Sequence, residues 1–320
     1  MIPNPVELLQ REIIEDLLPL QDPMPGEEAA FVPEALTDRL FSDAGDGQSL
    51  HVYALLDAGK LKFLPDRLSQ SGLAHVSLYT HDTYADVAPY LVQLTPDADL
   101  TRHFFAFDSE QDSPWYMMDK SPGILLRSTH SLQTLQAHLR HYTMLPDEEG
   151  VRQFFRFHEP GFLDAVLQCC GPEEVGSFFF CVQDFLYLMP ALQEGLWDAI
   201  QVAPGPGVAA PPNGSYALPE IDRPKRQAMQ RTLSTRQGRD LARREGRPLP
   251  ERRPRARIYA RLLNAGFYNE NALVVTASLL AKIPAAEHQA IWTVIEQGEH
   301  SLGFLNFKLA ERYGLEAELT

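Results

Sequence analysis

Residues 203 to 224 read APGPGVAAPPNGSYALPEIDRP, with six prolines and three glycines in one passage. Proline lacks a backbone N–H and fixes φ, so it stops a helix and removes a rung from an interior strand. No regular element is expected to run through such a stretch. It therefore divides the 320-residue chain, whose length alone suggests about two domains. The expected organisation is residues 1–202 as one domain, 203–222 as a Pro/Gly-rich linker, and 223–320 as an Arg-rich segment with a helical lobe.

Before that passage the hydrophobic period changes repeatedly. Leu8, Leu9, Ile13 and Leu17 fall on one face of a helix predicted over 5–18. HVYALLDA (51–58) reads as a strand, LPDRLSQSG (64–72) as a helix stopped by Gly72, and LAHVSLY (73–79) as a second strand. APYLVQL and a helix near 97–107 follow, then the strand GILLRS (123–128) and a helix over 131–145 carrying Leu132, Leu135, Leu139 and Tyr142. QFFRF gives a further strand over 153–158, Pro160 opens a helix, and SFFFCV (177–182) reads as a closing strand. Strands alternating with helices predict an α/β (mixed α+β) N-terminal lobe on a mostly parallel or mixed sheet. Beyond residue 255 the patterns are helical, in ARIYARLLNAGF, NENALVVTASLLAKI, AAEHQAIWTVIEQG and SLGFLNFKLAERYG, which predicts a small all-helical C-terminal lobe.

The formal net charge of −15 is polarised. Residues 223–261 hold 14 Lys or Arg against three acids, and the rest of the chain holds 14 basic and 40 acidic residues. Gly238, Gly246, Pro248, Pro250 and Pro254 interrupt the basic segment, which predicts that it is not one long helix. Arg243, Arg244, Arg252, Arg253, Arg255 and Arg257 are its candidate partner-binding side chains. Nucleic-acid binding through 223–261 is one alternative, since phosphate contacts favour clustered arginines. Tyr259 is the sole aromatic there, which leaves no stacking platform, and an acidic protein surface or the acidic body itself suits the segment better. No apolar run reaches the ~18 residues of a membrane span, and no secretory leader is visible. Three cysteines, Cys169, Cys170 and Cys181, make no disulfide framework or zinc spacing and fit a reducing cytoplasm.

Signatures of nucleotide, serine-hydrolase and zinc-protease chemistry are missing. His138 and His141 could share a helix face, with His130 or Glu148 as a third ligand, which is the basis of a metal-dependent hydrolase as second alternative. Two helical histidines are more often polar surface, so the expectation is no metal, no cofactor and no catalytic residue. Asp147, Glu148 and Glu149 read as a solvated charge run in a turn. In the strand 153–158, Phe155 and Phe157 share one face while Phe154, Arg156 and His158 share the other. A guanidinium placed among rings needs an acceptor, and Asp57, where the first strand ends on a carboxylate, is the expected partner in a structural ion pair. Removal of Arg156 is then expected to cost several kcal/mol, as for a buried pair that loses one member.

Tyr53 to Ala58, Ala88 to Leu94, His138 to Arg140 and Phe154 to Pro160, in this order, resemble the N-terminal domain of the type VI secretion effector chaperones, or Tap-type adaptors, over about residues 50–190. The family has tyrosine and aspartate where His158 and Glu159 stand here. NAGFYNENALVVTASLL is similar to the helical lobe that often follows in that family. The resemblance implies a non-enzymatic adaptor in the bacterial cytoplasm. Its partners would be a secreted effector (a toxin) and a VgrG- or PAAR-type spike protein, with no membrane and no nucleic acid involved.

Overall fold

The computed structural model describes residues 8–244 except 25, 27, 43–48, 81, 108–112, 114, 192–194 and 210–215, and then 262, 275–276, 279–280, 282–297 and 301–315. The fold is mixed α+β and forms two compact units. The first comprises residues 1–189 and 195–229, and the second 190–194 and 230–320.

The first unit is built on a seven-stranded sheet. Its strands are β1 (Leu9–Leu17), β2 (His51–Asp57), β3 (His75–Ser77), β4 (Pro89–Leu94), β5 (Gly123–Ser128), β8 (Asp184–Pro190) and β9 (Trp197–Pro204), in the order β1-β9-β8-β5-β2-β4-β3. The short strands β6 (Met144–Pro146) and β7 (Arg152–Phe154) make a separate two-stranded ribbon. β2 pairs antiparallel with β4 on one side and β5 on the other, and the pairs β3·β4, β5·β8 and β1·β9 are also antiparallel. This corrects the expectation of a mostly parallel or mixed sheet.

The reason lies in how the sheet is covered. Tyr53 and Leu55 of β2 face a core shared with Leu135 and Leu139 of α4 (Leu132–Arg140), Leu163 and Val166 of α5 (Phe162–Leu167), and Val175 and Phe178 of α6 (Pro172–Phe179). Val52, Ala54 and Leu56 face a second core with Leu36 and Leu40 of α1 (Glu34–Phe41), Leu64 and Leu68 of α2 (Leu64–Ser71), and Leu100 and Phe104 of α3 (Asp99–Phe104). A strand buried on both faces is a continuous apolar run whatever its direction, so the usual signature of parallel sheets appears in an antiparallel one.

Two segments exchange type. Residues 9–17, expected as a helix, form the edge strand β1, registered from Leu9 opposite Pro204 to Ile14 opposite Ala199, with Asp16 at φ +59° in an irregular step before Leu17. Pairing along β9 overrides a weak helical period. Residues 177–182, expected as a strand, straddle the end of α6, which starts on Pro172 and is held there by Glu174 accepting from the Gly171 N–H at 2.7 Å. The strand comes one step later, as DFLYLMP in β8. Pro160 lies ahead of α5, which begins after Gly161 in a left-handed conformation.

The passage 203–222 packs onto the first unit where it is described. The Ala217 N–H donates to Ser177 Oγ at 2.8 Å, and Ile221 is buried and bridges to Asp147. α7 (Arg223–Arg244) follows as one helix of 22 residues that passes through Gly238 without a break. Glycine costs a helix only about 1 kcal/mol and does not stop it; residues 245–261, with the prolines, lie outside the described residues. In the second unit, α8 (His288–Gln297) and α9 (Leu302–Tyr313) pack around Trp292, Ile295, Leu305 and Leu309. Ser301 caps α9 by accepting from Phe304 N–H, and Gly314 ends it at φ +65°. ARIYARLLNAGF and NENALVVTASLLAKI fall mostly outside the described residues.

Candidate functional site

β2 ends on Asp57, and the chain turns at once. Asp57 Oδ1 accepts from the Gly59 N–H at 2.9 Å, and the Asp57 carbonyl accepts from Lys60 and Leu61. The ribbon β6–β7 brings residues 155–159 across this turn. Phe155 and Phe157 enter the core, which anchors the segment with about 1.5–3 kcal/mol for each buried ring. Arg156, between them, points outward and reaches Asp57 through Nη2–Oδ2 at 2.5 Å.

The expected pair Asp57 and Arg156 is thus brought together, but its members differ. The Asp57 side chain is 3% exposed and that of Arg156 is 51% exposed. A loss of several kcal/mol on removing Arg156 assumed two buried partners, and here one is half in water. The predicted alternation holds for Phe154 to Phe157, whereas His158 departs from it because the strand has ended at Phe154 and the chain turns inward.

The ring of His158 is buried with Nε2 3.6 Å from Asp57 Oδ2 and Nδ1 without a hydrogen-bond partner among the described residues. Glu159, also buried, takes Lys60 Nζ at 2.5 Å and lies 3.5 Å from Arg156 Nη2. The longer carboxylate at this position therefore makes a definite contact. Burial works to raise the pKa of Asp57, but the neighbouring His158 ring, then Arg156 and Lys60, overcome it and hold the carboxylate at about 2. The group stays ionised as a fixed acceptor and does not exchange protons near neutrality.

The Tyr79 ring stands beside this cluster. It packs against Tyr84 (centroids 6.5 Å apart) and Phe154 (5.8 Å), and its phenol feels the charges of both Arg156 and Asp57. The 3-10 turn Asp82–Val87 that carries Tyr84 also leaves Val87 exposed.

Several residues take roles that differ from their expected ones. His138 is buried, with Nε2 2.8 Å from the Phe178 carbonyl and Nδ1 3.2 Å from Tyr216 Oη, and the His141 ring stacks on Tyr216 at 4.3 Å. Both ring nitrogens of His138 are thus engaged. Burial, only partly offset by the Phe178 carbonyl, lowers its pKa to about 4. Glu148 accepts from the Arg223 N–H at 3.0 Å and from Arg226 Nη2 at 2.7 Å. Among the described residues, no group of three His, Cys, Asp or Glu side chains is arranged to hold a metal ion. Asp147 is a turn organiser and no solvated charge: its Oδ1 accepts from the Glu149 and Val151 N–H groups, and its Oδ2 from Gln153. Arg243 and Arg244 fall in the last turn of α7, and Arg252, Arg253, Arg255 and Arg257 lie outside the described residues.

Two ion pairs, each on a buried aspartate, escaped the sequence. Arg127 of β5 binds Asp184 of β8 through Nε at 2.9 and 3.0 Å and Nη2 at 2.5 Å, while Nη1 donates to the Arg39 carbonyl. Asp164 of α5 receives Arg11 at 2.8 Å, the Tyr187 hydroxyl at 2.7 Å and Gln168 at 2.9 Å. The signal for the first was present, an arginine next to the end of GILLRS and an aspartate starting DFLYL, but only an antiparallel register sets these residues opposite each other.

A two-faced antiparallel sheet with an ion-paired turn at one strand end is the class these features define. Residues 52–177 match a family model described as Domain of unknown function (DUF4123), so a DUF4123 domain is present, running from β2 into α6 and including Asp57, Arg156 and Glu159. Searches of curated proteins and of solved structures return no match. Among the described residues no helix is long and apolar enough to cross a membrane.

Proposed function

We propose that the chain is a non-catalytic adaptor of a type VI secretion system. It binds a secreted effector in the cytoplasm and delivers it to a VgrG- or PAAR-type spike protein, without a cofactor. The DUF4123 domain supports this reading because it spans all four motifs that resemble the Tap-type adaptors, namely 53–58, 88–94, 138–140 and 154–160. The observation that carries it is the state of the strand-end charges: Asp57 is tied to Arg156 and Glu159 to Lys60, and what faces outward beside them is a cluster of rings. Such a surface holds a polypeptide; general acid–base chemistry needs a group whose pKa lies near the working pH.

The basic segment adds a second contact. Arg226 already pairs with Glu148, and Lys225 with Asp222 at 3.1 Å, so basic side chains of this region engage acidic ones. Arg243, Arg244, Arg252, Arg253, Arg255 and Arg257 extend that role toward the partner. The test is co-production of the full chain with the product of an adjoining toxin reading frame, followed by size-exclusion chromatography. Co-elution in a fixed ratio is the expected result, weakened by charge reversal at Arg252, Arg253 and Arg255. A chain that elutes alone, or that turns over a substrate, overturns the proposal.

A further inference from the structure

We infer that the surface formed by Tyr79, Tyr84, Phe154 and Arg156 is the docking point for the partner polypeptide, and that it takes a segment presenting one carboxylate beside an aromatic or aliphatic side chain. The inference rests on the adaptor reading and gives it a location and a chemistry.

Two stretches far apart in sequence, 79–87 and 152–156, meet at the Tyr79 ring. Phe154 is 66% exposed and Tyr84 51% exposed, and Val87 is also open. Local structure forces Phe154 out, because its neighbours Phe155 and Phe157 occupy the inward positions. Aromatic rings grouped with an arginine are the usual composition of the residues that dominate protein–protein binding. The arginine sets the chemistry. Its two ion-pair contacts, to Asp57 and to Glu159, both use Nη2, and among the described residues Nε and Nη1 meet no other acceptor. A guanidinium anchored by one nitrogen is preoriented, and its remaining N–H groups make their strongest bonds to a carboxylate.

Charge also limits the partner. Asp57 and Glu159 balance Arg156 and Lys60, so the cluster as a unit does not attract acids from a distance. The chain as a whole carries −15 and repels them. The fitting segment therefore carries a lone carboxylate flanked by apolar side chains.

Fluorescence anisotropy of the full chain with short labelled peptides tests this. One peptide has a central Asp-Phe pair in a Gly/Ser background, and the controls replace it with Asn-Phe or Asp-Ser. The Asp-Phe peptide should bind at least about fivefold more tightly than either control. Phe154→Ala and Arg156→Gln should each erase the preference. Phe154→Ala alters an exposed side chain outside the ion-pair cluster, so a folding defect in the arginine variant would not shield the inference. Equal binding of the three peptides, or a preference that survives Phe154→Ala, overturns it. If the wild-type chain still co-elutes with the toxin while the peptides show no preference, the docking inference alone fails. Loss of co-elution removes the adaptor reading as well.

Discussion

Arg127 and Arg156 each belong to an arginine–aspartate pair attached to the same sheet, yet the two pairs are built differently. Arg127 is 16% exposed, and all three of its guanidinium nitrogens bond to Asp184 or the Arg39 carbonyl. Arg156 is 51% exposed and ties down its aspartate with a single nitrogen. A saturated, covered guanidinium fixes β5 against β8. A half-open one fixes a turn and still presents donors to whatever arrives. Identical chemistry thus gives a covered cross-strand tie in one place and a half-exposed tie in the other, and contact through the second is what the adaptor proposal adds.

The largest effect that can break this contrast is expected from Asp184→Ala. It leaves Arg127 covered and without its carboxylate, at a cost of about 3–5 kcal/mol in urea unfolding of the full chain. A loss below that obtained for Arg156→Ala would reverse the comparison.

Acid titration sharpens it next. His138, normally titrating at 6.5, is lowered to about 4, so the unfolded chain binds the extra proton between those values. Its share of stability is present above pH 6.5 and is lost as pH falls through 4, amounting to about 3 kcal/mol. Asp57, lowered from 3.8 to about 2, has its share present above pH 3.8 and lost as pH falls through 2, about 2 kcal/mol. An Asp57→Asn chain should show a shallower profile in the lower window, and retention of the full slope there would show that other carboxylates set it.

Arg156→Ala comes third, at about 1 kcal/mol, because solvent screens the exposed side and the Gly59 N–H, His158 and Lys60 remain beside Asp57. A loss as large as that of Asp184→Ala would make Arg156 a buried strut after all. The smallest change belongs to Arg226→Glu, which opposes Glu148 on the surface. It should shift unfolding by less than about 1 kcal/mol, fading with added salt.

How far the sequence discloses this arrangement depends on the range of the interactions. Local signals were legible: β2 from its apolar run, α2 from its stop at Gly72, and α9 from the helical pattern of SLGFLNFKLAERYG. The pairing of Asp57 with Arg156 was also accessible, because a charge amid rings demands an acceptor and a strand ending on a carboxylate offers one. What stayed hidden was set by long-range pairing. β1 follows from the partner strand β9, and the antiparallel order makes neighbours of Arg127 and Asp184. The half-exposure of Arg156 was hidden for a similar reason, since the alternation gave its face of the ribbon but not what covers that face. Tyr79 and Tyr84 carry no motif, and only the meeting of two distant segments gives them a place in the surface.

The central claim is that Arg156 stands at a contact surface while Arg127 holds the sheet. It is tested most directly by the amount of co-produced toxin retained by Arg156→Gln relative to the wild-type chain, at a temperature where both are folded. The account predicts a several-fold drop in retained toxin with little loss of stability. Full retention of the toxin by the folded Arg156→Gln chain would contradict it.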